Sequence, residues 1–221
     1  MNKSFYAEFE KQIESVSELG EKPRLLLQAC CAPCSSHCLE LLEKYFDITV
    51  YFYNPNIDDR EEYVKRLEEL KRLTQEAEFA HDVKVVDGDW EPEVFFEMAK
   101  GREDLPERGE RCYDCYKLRM KKSALYAKEH GFDYFSTTLS ISPYKNSDWI
   151  NSIGMELEEE MRRAAVDAEA GSVPVFLFSD FKKKDGYKRS IQLSREYGLY
   201  RQNYCGCIFS KRDSSSGTEN S

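Results

Sequence analysis

The chain has 221 residues, 41% hydrophobic and 33% charged, with a formal net charge of −9. That is enough for one large domain or two small ones with a sizeable core, and the composition excludes disorder throughout. The negative total argues against a uniformly basic polyanion binder, although it leaves room for a local basic face.

The first segment places Phe5, Phe9, Ile13, Val16 and Leu19 at helical spacing and reads as an N-terminal helix within 1–22. Acidic residues interrupt any apolar run long enough for a signal peptide. No stretch approaches the roughly 18 to 20 apolar residues of a membrane span, so the expected compartment is the cytoplasm. RLLLQA (24–29) then reads as a strand ending in CCAPC, with a helix through SSHCLELLEKYF. DITVYFYNPNI (47–57) is a second strand closed by Asn-Pro-Asn, followed by a helix with Val64, Leu67, Leu70, Leu73 and Ala77 down one face. HDVKVVDGD gives a third strand, and EPEVFFEMAK a short helix stopped by Gly101.

A charged loop (102–111) leads into a helix starting near Cys112 and capped by Gly131. YFSTTLSISP is a fourth strand, broken at Pro143, and an acidic helix runs from Asp148 to Ala170, with Gly171 at its end. VPVFLFSD is a fifth strand, DGYKRSIQLSREYG a last helix, and LYRQNYCGCIFS a coil. Alternating strands and helices imply an α/β fold: a single Rossmann-like, three-layer domain over 23–210 with an open, mainly parallel sheet of about five strands. The Ser-rich stretch at 211–221 is composed like a disordered tail.

Eight cysteines fall in three tight groups: Cys30, Cys31, Cys34 and Cys38; Cys112 and Cys115; Cys205 and Cys207. In a cytoplasmic protein such groups bind metal or do redox work more often than they form structural disulfides. CCAPC falls beyond the carboxyl end of the first strand, where open parallel sheets bind ligands, and CYDC falls at a loop-to-helix transition that favours thiolates. Soft thiolates in this number suit zinc or iron–sulfur chemistry, and C-x-x-C spacing alone serves both metals. Two details favour a multi-iron cluster: adjacent Cys30 and Cys31 are expected to point apart, and seven candidate thiols exceed the four of a closed zinc site.

Cys34 is a fifth or reserve ligand, whereas Cys38, one helical turn further on, reads as a small buried hydrophobe. Cys205-Gly-Cys207 allows two roles, a strained and easily reduced disulfide or the ligands of a second metal. No glycine-rich phosphate loop or G-x-G-x-x-G follows any strand, which weakens ATP and dinucleotide readings.

From Lys182 to Arg212, nine Lys or Arg face only Asp185 and Glu196, a local net charge of +7 that leaves −16 for the remainder. Tyr187, Tyr197, Tyr200, Tyr204 and Phe209 interleave with these charges, a pairing that nucleic-acid grooves use. Lys182, Lys183, Lys184, Lys188 and Arg189 are its densest part.

CCAPC, YNPNI, GERCYDCYKLRM, YFSTTLSISPYKN and RQNYCGCIFS, in this order over about Leu25 to Ser210, together resemble the cobalamin-independent epoxyqueuosine reductases. The resemblance implies two-electron removal of the epoxide oxygen of epoxyqueuosine in a tRNA anticodon, the last step to queuosine, with no cobalamin and no ATP. It also implies that Cys30, Cys31, Cys112 and Cys115 hold a [4Fe-4S] cluster, that Cys34 reaches the metal centre, and that Cys205 and Cys207 are redox-active or hold a second iron. On this reading the Lys182–Arg189 residues contact tRNA and electrons come from an external donor. A zinc-stabilised RNA-binding module without catalysis, an ATP-dependent tRNA thiolation enzyme and a general dithiol oxidoreductase are the rivals; metal identity discriminates the first of these from a reductase.

Overall fold

The fold is described from a computed structural model, over residues 4–168 and 172–211. Five parallel strands form one open sheet in the order β3-β2-β1-β4-β5: β1 (Arg24–Gln28), β2 (Asp47–Phe52), β3 (Lys84–Asp87), β4 (Tyr134–Thr137) and β5 (Val175–Phe176). β1 reads as a continuous apolar run because it is the central strand and is covered on both faces. Its alternation divides the core. Leu25 and Leu27 point into one layer with α1 (Phe5–Ser17), α2 (Ala32–Leu42) and α3 (Arg60–Glu76), while Leu26 points into the other with α5 (Glu110–Glu129) and α6 (Ser147–Ala168). α4 (Pro92–Ala99) lies against α5, and α7 (Gly186–Glu196) against α2.

The chain reverses direction at β1: β2 and β3 extend the sheet one way, β4 and β5 the other. Open α/β sheets bind ligands at such a switch point, outside the carboxyl ends of the strands. Cys30 follows β1 there, and the 3-10 turn Thr138–Ile141 follows β4.

Several expected boundaries move. α2 begins at Ala32, inside CCAPC rather than after it, because Pro33 is suited to a first helical turn. β4 stops at Thr137, whose hydroxyl caps the 3-10 turn by accepting the Leu139 N–H. β5 keeps two residues of VPVFLFSD, and the Gln12 side-chain amide of α1 serves its outer edge by donating to the Phe176 carbonyl at 2.9 Å and accepting from the Phe178 N–H at 2.8 Å. The N-terminal helix thus protects an edge strand. On α3 the buried stripe contains Tyr63 and Arg66 with Leu67, Leu70 and Leu73, and Val64 is exposed. Gly171 and the tail from 212 lie outside the described residues. No helix among the described residues is long and apolar enough to cross a membrane.

Candidate metal centre

The Sγ atoms of Cys30, Cys31 and Cys34 all lie within 4.8 Å of one another, with Cys30 and Cys31 3.8 Å apart. The two adjacent sulfurs therefore converge, contrary to the expectation that they point apart. Cys31 is the residue that caps α2, and Cys34 stands three residues on, so both side chains share one helix face. Two ligands at about 2.3 Å from one tetrahedral ion stand about 3.8 Å apart, so this trio has the spacing of a single-ion site with a fourth position open. At that spacing the metal-free trio cannot ionise together. Hydrogen bonds from Cys31 and Cys34 hold the Cys30 thiol well below its ordinary range, and donation to Cys30 pushes Cys31 up to about 12. Cys34 is raised for the same reason, its proton being shared with Cys30 and Cys31. Cys38 is fully buried, bonded to the Cys34 carbonyl, and packs in the core.

Cys112 and Cys115 occupy the first turns of α5 and line a second, smaller chamber together with Cys205 and Cys207. Cys205 lines both chambers, as do Glu107, Lys145 and Ser210, so the two are contiguous. Among the described residues no three of these four sulfurs come as close together as the first trio does. Ligands of a cubane sit on different corner irons and stand further apart than ligands of one ion. Burial pushes the Cys115 thiol up to about 12 and raises Cys112 and Cys207 as well. Gly206 between the last two cysteines has φ +124°, and a Cβ there would meet Ile57 at 2.9 Å and Arg66 at 3.2 Å, so only glycine fits. α4 and α5 supply the wall against which Cys207 and Phe209 pack.

Three cations stand among these sulfurs. Arg119, one turn beyond Cys115 on α5, is fully buried and donates to Asn54 Oδ1 at 2.5 Å. Arg66 is buried, pairs with Glu62 at 2.7 Å and donates to the Cys205 carbonyl at 3.1 Å. Lys145 donates to Cys205 Sγ at 3.6 Å. Burial works to lower the pKa of each and is outweighed by the pull of neighbouring acidic groups: Cys31 and Glu62 for Arg66, Cys115 and Cys30 for Arg119, Cys205 and Tyr116 for Lys145. No carboxylate pairs with Arg119 among the described residues, and Arg119 Nε, Arg66 Nη2 and Asn56 Oδ1 are buried without hydrogen-bond partners. A buried guanidinium without an anion is costly. Seven soft thiols and unpaired buried donors together fit a resident anionic metal–sulfur group.

A model of the family described as epoxyqueuosine reductase QueH matches residues 25–213. Epoxyqueuosine reductase QueH of Staphylococcus epidermidis is 40% identical over 194 residues, covering 86% of this chain and 77% of that protein. That of Streptococcus pyogenes is 37% identical over 218 residues, covering 96% and 81%, and that of Thermotoga maritima is 35% identical, covering 84% and 89%. The chain belongs to the epoxyqueuosine reductase QueH family. The solved U34-tRNA thiolase NcsA from Methanococcus maripaludis with its [4Fe-4S] cluster is a much looser likeness, 14% identical at a TM-score of 0.49 over 98% of this chain and 73% of that one.

Within this family member the basic residues are placed unevenly. Lys182 pairs with Asp180, Lys184 with Glu10, and Arg189 bidentately with Glu40, so three of the five densest cations serve contacts inside the protein. Among the described residues no ion pair joins Lys183 or Lys188. The interleaved aromatics are also spent internally: Tyr197 packs on Phe79, Tyr200 lies under Lys65, and Phe209 meets Phe95 and Arg111. Tyr187 and Tyr204 alone of that set line the main cleft, together with Arg108, Tyr144, Lys145 and Arg201. Sequence reasoning missed Lys145 and the role of Arg119. Arg119 carries a readable signal, its i, i+4 spacing from Cys115, whereas Lys145 reaches Cys205 only through the fold.

Proposed function

We propose that this chain is an epoxyqueuosine reductase that acts on tRNA in the cytoplasm without cobalamin or ATP, using metal centres held by the seven cleft cysteines. The observation that carries this reading is the convergence of those thiols, from three distant parts of a QueH-family chain, at the switch point of the sheet. The reaction turns an epoxide into an alkene, takes up two electrons and two protons, and releases the oxygen as water. An iron–sulfur cluster passes one electron at a time, and an adjacent iron with an open position supplies Lewis acidity and a second electron store when bound.

The thiol spacing supports a division different from the one the resemblance implies. Cys30, Cys31 and Cys34 suit a single iron with one open position, and Cys112, Cys115, Cys205 and Cys207 suit a [4Fe-4S] cluster. Under this division Cys205 and Cys207 are ligands, not a disulfide couple.

The chain's own residues then have definite tasks. Arg119 and Arg66 offset the charge of the thiolates from below, and Asn54 fixes Arg119 while its own amide donates to the Ala29 carbonyl. Lys145 holds an ammonium at the boundary between the two chambers. The main cleft, about 480 Å³, is open to solvent and of a size for one nucleoside, with sulfurs at its floor.

The test is turnover. Protein purified without oxygen, given dithionite and tRNA bearing epoxyqueuosine, is expected to yield queuosine, read as the loss of one oxygen atom in the mass of the released nucleoside. Unchanged epoxyqueuosine with metal-loaded protein would contradict the reading.

A further inference from the structure

The mouth of the cleft carries a feature that the chemistry at its floor does not use. Tyr144 is 58% exposed and, among the described residues, is the one exposed large aromatic that lines the cleft. The Arg108 guanidinium lies over its ring, 4.8 Å from the centroid. Arg108 itself has φ +70°, a left-handed conformation that is uncommon for a residue with a side chain. Its N–H donates to Cys112 Sγ at 3.3 Å, which holds it there. On the other side, Lys145, the neighbour of Tyr144, donates to Cys205 Sγ. An exposed ring and a guanidinium thus stand together at the lip, with the Arg108 backbone bonded to one sulfur of the four-thiol chamber and Lys145, next to Tyr144, bonded to another.

We propose that Arg108 and Tyr144 form an RNA-binding lip, in which Tyr144 stacks on the nucleotide next to the reacting one and Arg108 contacts the adjoining phosphate. The proposal rests on the reductase reading for its ligand. A nucleoside that is to reach sulfurs at the floor of a cleft must leave its stack, and its neighbour then has an uncovered face. A tyrosine ring backed by a cation offers that face a partner without selecting its sequence. Arg108 supplies the charge and planar donors that a phosphate oxygen accepts from. Arg108 is tied to Cys112 directly, and Tyr144 adjoins the residue tied to Cys205.

The experiment measures tRNA binding by anisotropy with metal-loaded protein, beside iron and sulfide content. Tyr144→Ala is expected to weaken binding about five- to a hundredfold, the range for loss of one base stack, with iron and sulfide unchanged. Tyr144→Phe is expected to bind as the parent does. Arg108→Ala is expected to weaken binding and lower the slope of log affinity against log salt by about one. Phe96→Ala, an exposed aromatic outside the cleft, serves as the control and is expected to change nothing. Parent-like affinity in Tyr144→Ala, or loss of iron together with affinity, overturns the proposal. Turnover is read separately: parent protein that binds tRNA through Tyr144 and fails to reduce it contradicts the reductase reading and leaves the lip standing, whereas parent protein that binds no tRNA overturns both.

Discussion

At the scale of single residues, the site is governed by how thiols, protons and cations share a small buried volume. In the metal-free trio Cys30 is the sulfur most ready to ionise while Cys31 and Cys34 keep their protons, since hydrogen bonding to Cys30 raises both, Cys31 to about 12. Metal must displace those protons, so apparent metal affinity should rise with pH through the neutral range by about one to two logarithms per unit, and proton release on loading should be measurable by calorimetry in two buffers. A pH-independent affinity would contradict this account of the trio. The proposed division of ligands predicts separable defects. Cys34→Ser should keep acid-labile sulfide and lose iron and turnover, whereas Cys205→Ser should lose sulfide. Retention of both iron and sulfide by an inactive Cys205→Ser protein would instead favour a redox-active Cys205–Cys207 pair. Arg119→Met removes a buried cation beside the sulfurs, and a neighbouring cation favours the reduced, more negative state of a cluster. Its midpoint potential, followed by electron paramagnetic resonance, should therefore move to more negative values.

At the scale of elements, the site depends on where helices begin. Cys34 joins Cys31 because α2 starts inside CCAPC, and this brings a residue that the sequence offers as a fifth or reserve ligand within 4.8 Å of Cys30 and Cys31. Proximity in sequence made the three thiol groups legible. Their regrouping was not, because it depends on α5 and the Cys205-Gly206-Cys207 segment meeting against α4, a long-range contact with no local pattern. The strands, their order of appearance and the parallel sheet were readable from β-branched and apolar runs, while β4 and β5 came out shorter since a 3-10 turn and an α1 side chain take over their ends. The face of α3 was misread at Val64 for a related reason. Arg66 is buried beside Cys31 with Glu62 as its carboxylate partner, and hydrophobic periodicity does not register a buried arginine. α7 offers a test at this scale. A Cβ on Gly186 would stand 1.9 Å from the Phe181 carbonyl oxygen, a backbone atom with no room to yield. Gly186→Ala should destabilise the fold by about 1–3 kcal/mol, seen as a lowered thermal midpoint, and should disturb Tyr187 and Ser190 where α7 lines the cleft.

At the scale of the whole molecule, the sheet order places one crevice at the reversal around β1, and segments distant in sequence close over it. The charge division seen in the sequence persists in a modified form. The basic C-terminal stretch ties the turn before α7 to α1 through Lys184 and α7 to α2 through Arg189, and the cations facing the cleft are Arg108, Lys145 and Arg201. An acidic protein can then bind RNA through a narrow positive mouth while the rest of its surface repels it. On the proposed function this mouth leads to iron–sulfur chemistry, where a zinc-stabilised RNA-binding module would carry only a structural ion. Both are compatible with thiols spaced for a tetrahedral ion, and the metal itself separates them. The direct measurement is iron, zinc and acid-labile sulfide in protein purified without oxygen. Iron in excess of sulfide and a brown absorbance that bleaches with dithionite are expected; stoichiometric zinc without sulfide would rule out a reductase built on iron–sulfur chemistry.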